Sequence, residues 1–175
     1  MNARAFLFPA LLTVALAGCT SDPESPVATA PDPNAGVGAG GGSGLGSGGV
    51  DDPTSLEYFS VVVGDRVFFA TDRFDLDADA QAILRRQAEW FRANPGATAT
   101  IEGHADERGT RTYNLALGAR RANAALNFLV ANGVPRARLN SVTFGKERPV
   151  SLCSFERCWS QNRRSVAVVI KGPVS

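Results

Sequence analysis

The chain has 175 residues, of which 44% are hydrophobic and 20% charged, a composition that suits one globular domain with additional segments. Its formal net charge of +1 argues against nucleic-acid binding by broad phosphate neutralisation, which needs a strongly basic face. We therefore expect no nucleic-acid partner.

The first residues have the pattern of an export signal. Arg4 precedes an apolar segment, Phe6 to Ala17, that is too short to form a stable transmembrane helix. The segment ends in Leu-Ala-Gly-Cys, which resembles a bacterial lipobox, so residues 1–18 are predicted to be a lipoprotein signal peptide. The resemblance implies an acylated Cys19, with palmitate among its chains, and the absence of aspartate at position 20 implies the outer membrane. Stable anchoring of this kind requires two or more acyl chains.

Residues 19–55 are predicted to be a linker. Nine of the 18 glycines lie between positions 36 and 49, and proline and serine are also frequent. Such a segment buries too little apolar surface to offset the entropy of ordering. We expect a tether that carries a folded domain, residues 56–175, although a plain spacer would have the same composition.

The domain is predicted to be α+β, with elements in the order βαβαββ and a mixed sheet that packs two main helices on one face. A first strand over 64–69, which Val61–Val63 could extend, precedes a helix capped by Asp77 or Asp79 and ended by Asn94. The remaining elements are a strand over 97–102 broken by Gly103, a helix over about 113–131, and strands over 139–144 and 165–170. The second helix has one predicted core stripe: Leu115, Ala119, Ala122, Leu126 and Leu129.

The stretch IEGHADERGT, residues 101–110, carries five ionisable side chains and the only histidine, His104. A closed zinc site would need about four ligands, and in an exported protein Cys153 and Cys158 are better explained as a disulfide, so we predict no metal and no cofactor. The common hydrolase motifs are missing. His104 and Asp106 as acid and base of a wall-modifying hydrolase remain an alternative function.

A third interpretation is a binding site for a charged ligand. Arg121 and Asn114 are seven residues apart and share one flank of the second helix, with Gly118 between them. A long helical side chain leans toward the helix N-terminus, so Arg121 is expected to point toward the loop that carries Asp106. This set suits a zwitterion, with its ammonium on Asp106 and its carboxylate on Arg121. A simple Asp106–Arg121 ion pair would explain the same residues.

The stretch GHADERGTRTYNLALGARRANAALNFL resembles the signature of OmpA-like peptidoglycan-binding domains, and its GHADERGT, YN and LGxRRA elements resemble those of the peptidoglycan-associated lipoprotein family. FGKERPV and SQNRRSVAVVI resemble later parts of the same family, so the resemblance spans 67–170. It implies a βαβαββ fold, no enzymatic activity, and non-covalent binding of meso-diaminopimelate in peptidoglycan stem peptides. That residue ends its side chain in an amino group and a carboxylate.

By this resemblance, the peptidoglycan-binding residues are Asp106, Arg121, Asn114 and Asp72. The loop around Asp72 departs from the family's FDxxD-type pattern, and the cysteine pair is not universal in the family. Arg163 and Arg164 match an NRR motif that we expect to support the fold. The family also implies a lipoprotein that tethers the outer membrane to the cell wall during division, with the periplasmic propeller protein of the Tol system as partner.

Overall fold

The computed structural model describes residues 49–172. The predicted signal peptide, Cys19 and the linker up to residue 48 lie outside the described residues. Four helices, α1 to α4, span Leu56–Tyr58, Ala78–Ala93, Arg111–Ala131 and Glu156–Asn162. Four strands, β1 to β4, span Arg66–Phe68, Ala97–His104, Leu139–Gly145 and Arg164–Lys171. None of the helices within 49–172 is long and apolar enough to cross a membrane.

The four strands form one mixed sheet in the order β1-β4-β2-β3. β4 is antiparallel to both β1 and β2, whereas β2 and β3 are parallel. These directions bring the last residues of β1, β2 and β3 and the first residue of β4 to the same end of the sheet. The predicted fold class, α+β with a mixed sheet, is confirmed.

One hydrophobic core joins α2 and α3 to one face of the sheet. Alternation along β2 supplies the sheet side, because Ala97, Ala99 and Ile101 are buried as predicted. Phe91 of α2 and Leu129 of α3 are fully buried against this face. Burial of a side chain of that size stabilises the fold by about 1.5–3 kcal/mol, so the core is sufficient to fix both helices.

Both main helices begin at a side chain that caps the first turn. Asp77 accepts a hydrogen bond from the backbone N–H of Ala80 at the start of α2, and Thr110 accepts one from Tyr113 at the start of α3. Asn94 ends α2 as predicted, and its side chain donates to the Trp90 carbonyl.

Two local predictions about the strands were wrong. Val61–Val63 do not extend the first strand; they lie in a π-helical turn, Phe59–Gly64, because Ser55 caps a helix and Phe59 and Val63, four residues apart, face the core. The first strand is consequently short. Gly103 does not break β2, which continues through His104 with an irregularity at this point.

The buried face of α3 differs in part from the one that the predicted core stripe describes. Leu115 and Ala119 are only half-buried, whereas Leu117 and Ala125 are buried. Gly118 faces β2 so closely that an added Cβ would lie 2.9 Å from the Gly103 carbonyl oxygen. The side of α3 at Gly118 is therefore occupied by the sheet and leaves no space for a ligand.

The segment before β4 contains a helix that the sequence did not predict, α4. Cys153 and Cys158 form a disulfide across its start. Asn162 of α4 accepts hydrogen bonds from the backbone of Val150 and Ser151 and donates to the Ser151 carbonyl, which closes the loop. These bonds hold a short helix whose only buried residue is Asn162.

Residues 49–55, which the composition assigns to the linker, form turns that contact the rest of the described unit. The indole N–H of Trp90 donates to the Pro53 carbonyl at 2.7 Å, and Lys171 donates to the Thr54 carbonyl at 2.7 Å. Pro53 and Thr54 are thus bonded to α2 and β4 of the domain.

Candidate functional site

The candidate site lies at the end of the sheet where the loops after β1 and β2 meet. The pairing of Phe68 with Arg164 and of Gly103 with Ser165 brings the start of β4 beside both loops. Because α3 begins directly after the β2 loop, its first turns border the same place. This convergence follows from the sheet order and explains why distant parts of the chain share one site.

An open pocket of about 300 Å³ occupies this position. All four residues predicted to bind the ligand border it: Asp72, Asp106, Asn114 and Arg121. Its other lining residues come from the same two loops and from α3: Thr71, Arg108, Gly109, Tyr113 and Leu117. The four predicted residues thus border one cavity, and the sequence did not anticipate the other five residues around it.

Arg121 is a fully buried cation, with 0% of its surface exposed. Its Nε, Nη1 and Nη2 donate to the carbonyls of Arg73, His104 and Ala70 at 2.8, 2.8 and 3.2 Å. Burial lowers the pKa of Arg121 to about 10, and the charge of Arg163 acts in the same direction, so the guanidinium remains charged at neutral pH.

No carboxylate within residues 49–172 lies close enough to Arg121 for an ion pair, the limit being 4.0 Å. The Asp106–Arg121 ion pair that the sequence left open is therefore not formed. A guanidinium has five N–H donors, of which three are used on carbonyls. The charges of Asp106 and Asp72 raise the pKa of Arg121, but neither carboxylate contacts it directly. A buried charge without a direct counter-ion is costly, so Arg121 is suited to hold an anion that enters the pocket.

Asp106 is instead paired with two other arginines. Its Oδ2 accepts from Arg108 Nη2 at 2.6 Å and from Arg163 Nη1 at 3.3 Å. Its Oδ1 accepts from Arg108 Nε and from the Arg108 backbone N–H, at 3.3 and 3.2 Å. Burial raises the pKa of the Asp106 carboxyl, but the hydrogen bonds and charge of Arg108, with Arg163, outweigh burial and hold the pKa below its ordinary value.

Asp72 lies across the pocket on the loop after β1. Its backbone has a φ of 59°, in the left-handed region that aspartate tolerates better than most residues. The side chain accepts a hydrogen bond from the hydroxyl of Tyr113. Within the described part of the chain it forms no ion pair with a lysine or arginine, so Asp72 is an acid still available to a cationic group.

Asn114 holds the loop that carries Asp106. It is buried, and its Nδ2 donates to the Arg108 carbonyl at 2.7 Å. Lys146 donates to the carbonyls of Glu107 and Gly109 from the other side. The loop between β2 and α3 is thus fixed by backbone contacts, whereas the side chain of Arg108 is 40% exposed.

His104 is not placed to act as a general base at this site. It is buried, its ring stacks on Phe144 at 5.6 Å, and it does not border the pocket. Burial lowers the pKa of His104 to about 4, and the charges of Arg164 and Arg148 act in the same direction. With Asp106 occupied by two guanidinium groups, the hydrolase alternative has no acid–base pair.

Arg163 holds neighbouring parts of the site together, as we expected from the NRR motif. It is buried and donates to the Phe69 carbonyl at 3.0 Å and to Glu156 at 2.5 Å, in addition to Asp106. Arg164 is also buried and donates to the Arg148 carbonyl. Among residues 49–172 no group of three potential metal ligands is present.

Residues 68–163 match the OmpA family, which defines the class of domain. The chain is 50% identical to a peptidoglycan-associated lipoprotein of Rhizobium meliloti over 159 residues, covering 91% of this chain and 84% of the relative. A protein of the same name from Agrobacterium fabrum is 49% identical over 158 residues, covering 90% and 83%. The crystal structure of the peptidoglycan-associated lipoprotein from Burkholderia pseudomallei superposes with a TM-score of 0.62 at 37% identity, covering 69% of this chain and 98% of that one.

The chain belongs to the peptidoglycan-associated lipoproteins of the OmpA family. This is a structural, non-enzymatic family of the cell envelope.

Proposed function

We propose that the protein binds the meso-diaminopimelate residue of peptidoglycan stem peptides and tethers the outer membrane to the cell wall. The observation that carries the proposal is Arg121, a buried cation at the pocket with no carboxylate partner among residues 49–172. The side-chain carboxylate of diaminopimelate would supply that partner and accept the donors that remain on the guanidinium.

The ammonium of the same ligand side chain would bind on the acidic side of the pocket. Asp106 and Asp72 both border the cavity, and Asp72 has no cationic partner in the described residues. Asn114 would keep the Asp106 loop in register with α3 through its hydrogen bond to the Arg108 carbonyl. The pocket volume of about 300 Å³ suits one amino-acid side chain with its flanking peptide.

Anchoring would come from the other end of the chain. Acylated Cys19 would insert in the outer membrane, and the predicted linker would join it to the wall-binding domain. A single pocket built on two charge pairs gives modest affinity, but many anchored copies on one polymer raise the effective concentration. Membership of the family also supports a role in envelope integrity during cell division, with the propeller protein of the Tol system as partner.

Co-sedimentation with purified sacculi tests this function. The full-length protein in detergent is expected to pellet with sacculi whose stem peptides contain meso-diaminopimelate. It should stay in solution with sacculi that carry lysine at that position, because lysine lacks the side-chain carboxylate for Arg121. Equal retention on both kinds of sacculi would contradict the proposal.

A further inference from the structure

The two groups proposed to hold the ligand are both covered in the structure. Arg121 has 0% of its surface exposed and Asp106 has 7%. A ligand that contacts both must therefore move at least one of the side chains that border the pocket. The residue that gives way must lie on the pocket, have an exposed side chain and make few other contacts.

The carboxylate of Asp106 has no free acceptor position. An ionised carboxylate offers about four lone-pair sites, and Asp106 accepts four hydrogen bonds, three of them from Arg108. A ligand ammonium can bind Asp106 only by replacing one of these donors. The Arg108 guanidinium thus occupies the place that a ligand cation would take.

Arg108 is held much less firmly than the second arginine on Asp106. Its side chain is 40% exposed, whereas that of Arg163 is 6% exposed and is also bonded to the Phe69 carbonyl and Glu156. Besides Asp106, the guanidinium of Arg108 has one hydrogen-bond partner among residues 49–172, the Thr71 hydroxyl at a long 3.5 Å. A partly exposed ion pair contributes little net stability, so its exchange for another cation is easy.

Arg108 also contacts an aromatic side chain, independently of Asp106. Its guanidinium carbon is 4.2 Å from the centre of the Trp159 ring, in a cation–π contact. The charges of Glu156 and Glu107 also act on Arg108. When Arg108 leaves Asp106, it can therefore stay against Trp159 without becoming an isolated charge.

We propose that Arg108 is a displaceable internal cation that competes with the ligand ammonium for Asp106. Binding is then an exchange, in which the ligand ammonium takes the Asp106 oxygens and Arg108 remains on Trp159. The device favours zwitterions, because a ligand that has the carboxylate but no ammonium cannot replace Arg108. This inference rests on the proposed function and adds to it a residue that sets affinity and selectivity.

Calorimetric titration of the full-length protein in detergent tests the exchange. The ligands are a stem tripeptide with meso-diaminopimelate and its analogue without the side-chain amino group. Arg108→Gln is expected to bind the zwitterionic peptide about two- to fivefold more tightly than the wild type, the fold-change that a partly exposed ion pair is worth. It should not bind the des-amino analogue more tightly.

Arg111→Gln is the matched control, since Arg111 is three residues away, its side chain is 72% exposed, it pairs with Glu147 and it does not border the pocket. This variant should bind both ligands as the wild type does. If the wild type binds the zwitterionic peptide and Arg108→Gln binds it equally or more weakly, the exchange is refuted while the proposed function stands. If the wild type does not bind it at all, the proposed function fails as well.

Discussion

Replacing Arg121 by lysine separates its role in the fold from its role in binding. The variant keeps a positive charge in the same place, but an ammonium cannot reach the three carbonyls that the guanidinium contacts. The carbonyls of Ala70 and Arg73 belong to exposed residues and can turn to water, whereas that of His104 belongs to a buried residue. Loss of one hydrogen bond from a charged donor to a buried carbonyl costs about 1.5–3 kcal/mol, and we expect the free energy of unfolding to fall by that amount.

The effect of Arg121→Lys on binding should be larger than its effect on folding. A carboxylate held by two donors of a buried guanidinium loses about 2–4 kcal/mol when the pair is disrupted, which is about 30- to 1000-fold in Kd. Urea unfolding gives the first quantity, and calorimetry with the diaminopimelate tripeptide, at a temperature where the variant is folded, gives the second.

Arg120→Lys is the control for this experiment. Arg120 directly precedes Arg121, is exposed, and contacts only the ring of Phe74 among the aromatic side chains described. It should change stability and affinity little. If Arg121→Lys loses stability but binds the tripeptide within about threefold of the wild type, the roughly 30-fold minimum worked out above is wrong and Arg121 does not hold the carboxylate.

Three further results are expected. Burial lowers the pKa of His104 from 6.5 to about 4, so on acidification the unfolded chain binds the proton first. The free energy of unfolding should therefore fall by about 2 kcal/mol between pH 7 and pH 4.5. Urea unfolding of His104→Gln, which lacks the imidazole, should show little of that pH dependence, and an unchanged dependence would contradict the assignment. Gly103→Ala should destabilise the folded domain by more than 3 kcal/mol, since its Cβ would lie 1.9 Å from the Gly118 carbonyl oxygen. In Gly96→Ala the added Cβ meets nothing within 4 Å, so thermal unfolding of this control should be nearly unchanged. Replacing Cys153 and Cys158 by serine should cost about 2 kcal/mol through the entropy of the small loop that they close; equal urea midpoints for the wild type and the double variant would contradict this.

The parts of the fold that were predictable are those where side-chain periodicity and end signals agree. α2 has an aspartate cap and an Asn-Pro-Gly stop, and β2 alternates small apolar residues with threonines, so both elements were bounded to within two residues. Val61–Val63 were assigned wrongly because a short apolar run is compatible with a strand or a helix. Only the packing of Phe59 and Val63 on α2 decides between them.

The sequence indicated which candidate residues would share a cavity, but it did not indicate their contacts. Helical geometry directs Arg121 toward the Asp106 loop, and the two do border one pocket. That Asp106 pairs with Arg108 and Arg163 depends on the loop conformation and on the position of β4, neither of which spacing reveals. α4 was missed for a similar reason, since its stability comes from contacts such as Glu156 with Arg163 rather than from a periodic apolar face.

Amidation of a single carboxyl group on the ligand tests the central claim most directly. In the modified stem tripeptide, the side-chain carboxylate of meso-diaminopimelate is converted to a carboxamide. This peptide keeps the ammonium and nearly the same shape, but it lacks the negative charge that is proposed to pair with Arg121. The account predicts that calorimetry with the full-length protein will show at least about tenfold weaker binding of the amidated peptide, since each 1.4 kcal/mol is a factor of ten. Equal affinity for the two peptides would mean that the buried guanidinium of Arg121 serves the fold alone.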